Sequence, residues 1–179
     1  TYVYDYVFSD CNSLVSVTIG NGVKSIGYAA FEGCNSLLHI IIPDGVTTIG
    51  NYAFAYCYEL EKIKIPDTVI NLEFRAFYGC TSLRKIYLPK GTAELSAALF
   101  AECESLKEIE IPKGIESIGM SMFKNCISLE EVKLPSSVRK IKHQAFAGCE
   151  ELKSIEEKCN KRIKLLQKEF KKNFKKEKN

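Results

Sequence analysis

The chain has 179 residues, 46% of them hydrophobic and 26% charged, which is an ordinary globular balance with room for one domain and an appendage. A net charge of +3 is too small to call for a nucleic acid or other polyanion, and no apolar run approaches the roughly 18 residues that cross a bilayer. The charge is uneven: residues 156–179 hold 10 Lys/Arg against 4 Asp/Glu, so a basic tail follows a mildly acidic body.

The opening "VYDYVF" (residues 3–8) aligns with "IGYAAF" (26–31). The first residues therefore read as the end of a repeat, with an earlier unit or an N-terminal cap expected before them. The first full strand, near 14–19, is then expected to be an uncovered edge. Phenylalanine recurs every 23 residues at Phe8, Phe31, Phe54, Phe77, Phe100, Phe123 and Phe146. Cysteine follows each by three residues (Cys11, Cys34, Cys57, Cys80, Cys103, Cys126, Cys149), and leucine follows three later. An Ile/Val column and a proline column (Pro43, Pro66, Pro89, Pro112, Pro135) keep the same step. Several columns in register over seven copies define a repeat architecture.

One unit, "LEKIKIPDTVINLEFRAFYGCTS" (60–82), shows the local logic. "LEKIKI" alternates and predicts a short strand. Pro66 ends it, having no N–H for a ladder, and "PDT" supplies turn residues. "VINL" predicts a second short extended piece. "EFRAFYGC" predicts one helical or 3-10 turn that aims Phe77 inward. Such a unit has one buried face and becomes stable only by stacking on its neighbours.

The L-x-x-I-x-I strand, "IPDGVTTIGNYAF" and "CNSL" together resemble the BspA-type, or Treponema-type, family of leucine-rich repeats across residues 1–155. The resemblance implies a parallel-stranded solenoid and a non-catalytic binding module of the extracellular or cell-surface kind. A cytoplasmic location is compatible with the sequence as well. The expected fold is α/β: seven 23-residue units with short parallel strands and one helical or 3-10 turn each, over residues 1–155.

Two departures qualify the pattern. One column reads Tyr4, Gly27, Gly50, Glu73, Ser96, Gly119, Lys142, so its backbone is not expected to need positive φ. The unit around "KGTAELSAALF" has Thr92 in the Val column and Leu99 in the Ala column, and is the expected place for a local kink. Beyond Ile155 the repeat fails. Cys159, Ile163, Leu166, Phe170 and Phe174 form one apolar stripe at helical spacing among lysines. Residues 156–179 are therefore expected to be a basic amphipathic helix that caps the solenoid. The alternative is a peripheral membrane or polyanion binder that works through the Lys161–Lys178 region.

The cysteines admit three readings. Stacking would bring neighbouring Cα atoms within disulfide range, but identical repeats point their thiols in parallel. Zinc sites use paired short spacings, and these are absent here. The reading adopted is a reduced core ladder, with no metal and no cofactor. The pattern places no Ser, Cys or carboxylate to form a triad with His39 or His143, so no enzyme activity and no small-molecule substrate are expected. The variable strand positions are the candidate partner-binding surface: His39, Lys62, Lys64, Lys85, Tyr87, Glu108, Glu110, Glu131 and Lys133. They give a basic middle and an acidic stretch with Tyr87 at the boundary, suited to a protein or glycan ligand.

Overall fold

The computed structural model describes residues 1–92 and 94–157, with residues 154–157 as backbone. Thirteen short strands follow in order: β1 (Tyr2–Val3), β2 (Ser16–Thr18), β3 (Ser25–Ile26), β4 (His39–Ile41), β5 (Thr48–Ile49), β6 (Lys62–Lys64), β7 (Asn71–Leu72), β8 (Lys85–Tyr87), β9 (Glu108–Glu110), β10 (Ser117–Ile118), β11 (Glu131–Leu134), β12 (Lys140–Ile141) and β13 (Ser154–Glu157). All pairings are parallel and join residues 23 apart, as in Val17 with Ile40 and Ile63 with Ile86. The seven strands β2, β4, β6, β8, β9, β11 and β13 recur at one point of the unit, with about six turns of a β-solenoid between first and last. A second set, β1-β3-β5-β7 and then β10-β12, builds another side.

The third side is where the expected helical turn is corrected. Among the described residues there is no helix, so the architecture is β-solenoid and not α/β. A helix would satisfy its N–H groups within its own segment. Here alternate N–H groups reach the next turn of the solenoid, Phe31 donating to the Ala53 carbonyl at 2.8 Å and Gly33 to the Ala55 carbonyl at 2.9 Å, while Glu32 and Cys34 donate locally to Ala29 and Phe31. Two left-handed positions per unit make this possible. One is Tyr6, Ala29, Tyr52, Arg75, Ala98, Ser121 and Gln144; the other is Asp10, Gly33, Tyr56, Gly79, Glu102, Asn125 and Gly148. Only the second column is rich in residues that tolerate this conformation, glycine above all. The column of Gly27, Gly50 and Gly119 stays outside positive φ, as its mixed composition predicts.

The core is a set of stacked columns. The seven phenylalanines from Phe8 to Phe146 stack face to face, with centroids 5.1–5.8 Å apart and planes within 4–14° of parallel. Phe31, Phe54, Phe77, Phe100 and Phe123 are fully buried. The cysteine column lies beside them, buried from Cys34 to Cys149, and the seven described cysteines are free thiols. Each thiol from Cys34 to Cys149 donates to the phenylalanine carbonyl of the preceding unit: Cys57 to Phe31 at 3.2 Å, Cys80 to Phe54 at 3.1 Å, Cys126 to Phe100 at 3.0 Å. That carbonyl also accepts the N–H of the cysteine in its own unit, as Phe54 does from Cys57 at 3.4 Å.

The irregular unit is visible as a break in the second set of strands. Leu95 makes only an isolated bridge to Leu72, and β10 pairs with β12 alone. At the far end β13 keeps its register with β11 through Glu157 opposite Leu134, so the ladder extends two residues beyond the expected boundary at 155. The expected capping helix and Cys159 otherwise lie outside the described residues.

Candidate functional site

The x-I-x strands alternate exposed, buried, exposed, because successive side chains of a strand point to opposite sides. His39 and Ile41, Lys62 and Lys64, Lys85 and Tyr87, Glu108 and Glu110 therefore face outward around buried Ile40, Ile63, Ile86 and Ile109. On β11, Lys133 is exposed and Glu131 is half-buried. All nine expected residues thus share one sheet surface, and the register gives their neighbours. Lys62 stands opposite Lys85, and Lys64 opposite Tyr87. Glu108 stands opposite Glu131, and Glu110 opposite Lys133. His39 stands opposite Ser16.

Ladder pairing divides this surface into β2-β4, β6-β8 and β9-β11-β13. These groups coincide with the charge blocks: a nearly neutral group, a basic group and a largely acidic one. The junction between the last two is bridged by side chains. Lys85 Nζ lies 3.6 Å from Glu108 Oε1 across it and 5.2 Å from the centroid of the Tyr87 ring. Tyr87, and after it Glu108, hold the Lys85 ammonium above its ordinary pKa. Lys133 pairs with Glu131 on its own strand at 3.6 Å. Among the described residues, Lys62, Lys64 and Glu110 take part in no ion pair, so their charge stays available to a partner. Tyr87 and Ile41 are the large apolar groups on this face, 56% and 63% exposed. The surface can dock a complementary partner by charge and by Tyr87. Ser16 and His39 are neighbours on this face, but no hydrogen bond joins them among the described residues.

Two features were missed in the sequence. A groove of about 510 Å³ opens where the second strand set is interrupted, between Phe74 and Met120, with Glu94 and Lys142 on its rim. A belt of tyrosines with Arg75 runs along the turn side of the solenoid. The signal for the belt lay in columns that carry no repeat consensus. Tyr6, Tyr52 and Arg75 share one 23-residue column, and Tyr28 and Phe74 share the one before it.

A family model described as BspA type leucine rich repeat region matches residues 1–126 and 93–176, in 6 copies. The leucine rich repeat protein of T. pallidum is 27% identical in sequence and superposes with a TM-score of 0.80, covering 97% of this chain and 76% of its own. A leucine rich cell surface protein of Faecalibacterium prausnitzii is 26% identical, with a TM-score of 0.55 over 88% of this chain and 63% of its own. The pneumococcal vaccine antigen PcpA, at 23% identity and a TM-score of 0.50, covers 80% of this chain and 51% of its own, and shares the fold. No curated protein matches the sequence.

Proposed function

The chain belongs to the BspA-type leucine-rich-repeat family, and from that premise we propose that it is a non-catalytic interaction module that binds a protein or glycan on its strand face. The observation that supports this reading most directly is the bipolar array. Lys62 and Lys64, in no ion pair among the described residues, lie on one side of Tyr87, and Glu108 and Glu110 on the other, on a surface built by seven stacked strands. A rigid repeat scaffold lets such side chains act together over an extended area. Tyrosine with flanking charge is the composition of an interface hot spot, with the charges setting orientation and encounter rate. The cell surface is the proposed location, since the F. prausnitzii neighbour is described as a cell surface protein.

The second reading is a peripheral membrane or polyanion binder that uses the 10 basic residues of the 156–179 segment. The two separate in one experiment, a screen of the full chain on arrays of matrix proteins and glycans. The first reading expects hits to weaken by about tenfold or more in Lys62→Ala/Lys85→Ala/Tyr87→Ala and to persist when Lys171, Lys172, Lys175 and Lys176 become Gln. The reverse pattern, with a steep salt dependence, supports the second and removes the first.

A further inference from the structure

The aromatic belt on the turn side is separate from the strand face. Tyr6, Tyr28, Tyr52 and Phe74 follow one another along the solenoid with ring centroids 5.2, 5.8 and 5.7 Å apart. Arg75 closes the row, its guanidinium carbon 4.9 Å from the centroid of Phe74, 4.8 Å from that of Tyr78 and 5.8 Å from that of Tyr52. From Tyr78 the rings continue to Tyr56 and Tyr58, at 5.3 and 6.2 Å. The row alternates between two adjacent 23-residue columns, Tyr6 and Tyr52 in one and Tyr28 and Phe74 in the other, so stacking of the units brings one ring from each successive turn into line. Tyr6, Tyr28 and Tyr58 are 58%, 38% and 42% exposed.

Arg75 has few partners for its charge. Its Nη1 donates to the Tyr52 hydroxyl at 3.2 Å, and its buried Nε has no acceptor. No carboxylate pairs with it among the described residues. Glu102, close enough to Tyr78 to act on its hydroxyl, accepts from Asn125 at 2.9 Å. A guanidinium has five N–H donors in a planar fork that fits a carboxylate, and the surrounding rings favour the cation.

We propose that this belt is a second binding surface, one that takes a linear polysaccharide bearing carboxylates. Sugar rings lie over the exposed tyrosine faces, their hydroxyls reach the phenol oxygens, and Arg75 holds a carboxylate. A linear polymer of rings fits a linear row of rings with nearly equal steps. A protein partner would be gripped by a compact hot spot at the centre of an interface, and not by several similar shallow places in a line. Tyrosine, apolar in its body and polar at its tip, suits a ligand that is both.

The test is titration of the full chain with hyaluronate and polygalacturonate oligosaccharides, followed by calorimetry and by tyrosine fluorescence, which is unobscured because the chain has no tryptophan. Binding of at least one is expected, weakened about tenfold or more when its carboxyls are reduced to alcohols or when Arg75→Gln or Arg75→Lys is introduced. Arg75→Lys keeps the charge and the stem, and its thermal midpoint verifies that it is folded. Tyr28→Ala should weaken binding several-fold. The strand-face triple variant and the tail lysine-to-glutamine variant should bind as the parent does. Failure of both oligosaccharides to bind overturns the proposal, as does equal binding of the reduced forms. Loss of binding in the tail variant with retention in Arg75→Gln assigns the ligand to the tail. Tighter binding of a Glu-Gly repeat peptide than of either sugar assigns the belt to a protein partner.

Discussion

Cys80 illustrates why a single residue type recurs in one column. It is fully buried, fits where a small apolar side chain is needed, and donates its thiol to the Phe54 carbonyl at 3.1 Å. Alanine would lose both the bond and the packed sulfur; Cys80→Ala should cost roughly 1–2 kcal/mol, since the void is small and Phe54 still accepts from the Cys57 N–H. Phe77→Ala opens a cavity in the stacked spine and should cost about 3–5 kcal/mol. Urea unfolding of the two variants gives the order, and an equal cost would show that the thiol does more than pack and donate. Burial also sets the thiol chemistry. It pushes the pKa of Cys34 up to about 11 and those of Cys80 and Cys149 up to about 12, against an ordinary 9.0. The unfolded chain releases these protons first as pH rises, so the stability they contribute is intact below about pH 9 and is lost progressively up to pH 12. Thermal midpoints measured across that window should fall. The fall should be smaller in Cys80→Ala, which removes one of the shifted groups. In the native protein at neutral pH the buried thiols from Cys34 to Cys149 should resist alkylation, and under denaturing, non-reducing conditions all 8 cysteines of the chain should react.

Among the elements, the interrupted unit around Leu95 also carries a buried hydroxyl. Thr92 stands in a column otherwise held by Val23, Val46, Val69, Ile115 and Val138, is 3% exposed, and makes a long 3.4 Å bond to the Val69 carbonyl. Burying a hydroxyl against so weak an acceptor contact is unfavourable. Thr92→Val should therefore stabilise the protein by roughly 0.5–1 kcal/mol, a rise of about 2–4 °C in thermal midpoint for each kcal/mol. A fall in midpoint would mean that the hydroxyl is needed to shape the break and its groove. The strands themselves were legible from alternation and proline. The turn segment was not. Its sequence permits a helical turn, and what excludes one is the neighbouring unit, which accepts the N–H groups of Phe31 and Gly33.

At the scale of the whole molecule, each unit touches mainly the units before and after it, so stability is a sum of local terms. Weakening the centre should therefore not weaken the ends equally. In Phe77→Ala, amide hydrogen exchange should quicken most around β6 and β8, while protection at β11 is held. A uniform loss across the chain would show one all-or-none unit instead. The strand face obeys the same additive geometry. Its basic and acidic blocks meet at Lys85 and Glu108, and that pair uses charge that would otherwise face a partner. Glu108→Gln should therefore free Lys85 and strengthen binding of an acidic ligand to this face at low salt, with little effect at high salt.

The sequence by itself determined the period, the stacked Phe and Cys columns, the outward strand face with its nine candidate residues, and the site of the irregular unit. All of these follow from side-chain periodicity, which a repeat displays without any knowledge of its neighbours. Only the tertiary structure decided how the turn segment closes, which carbonyls the thiols reach, and how Lys85 is shared between Tyr87 and Glu108. The left-handed column of Tyr6, Ala29 and Arg75 belongs here too, since those residue types give no sign of it. The tyrosine and Arg75 belt likewise exists only once residues 23 apart are stacked, because contacts between units depend on distances that no single repeat contains.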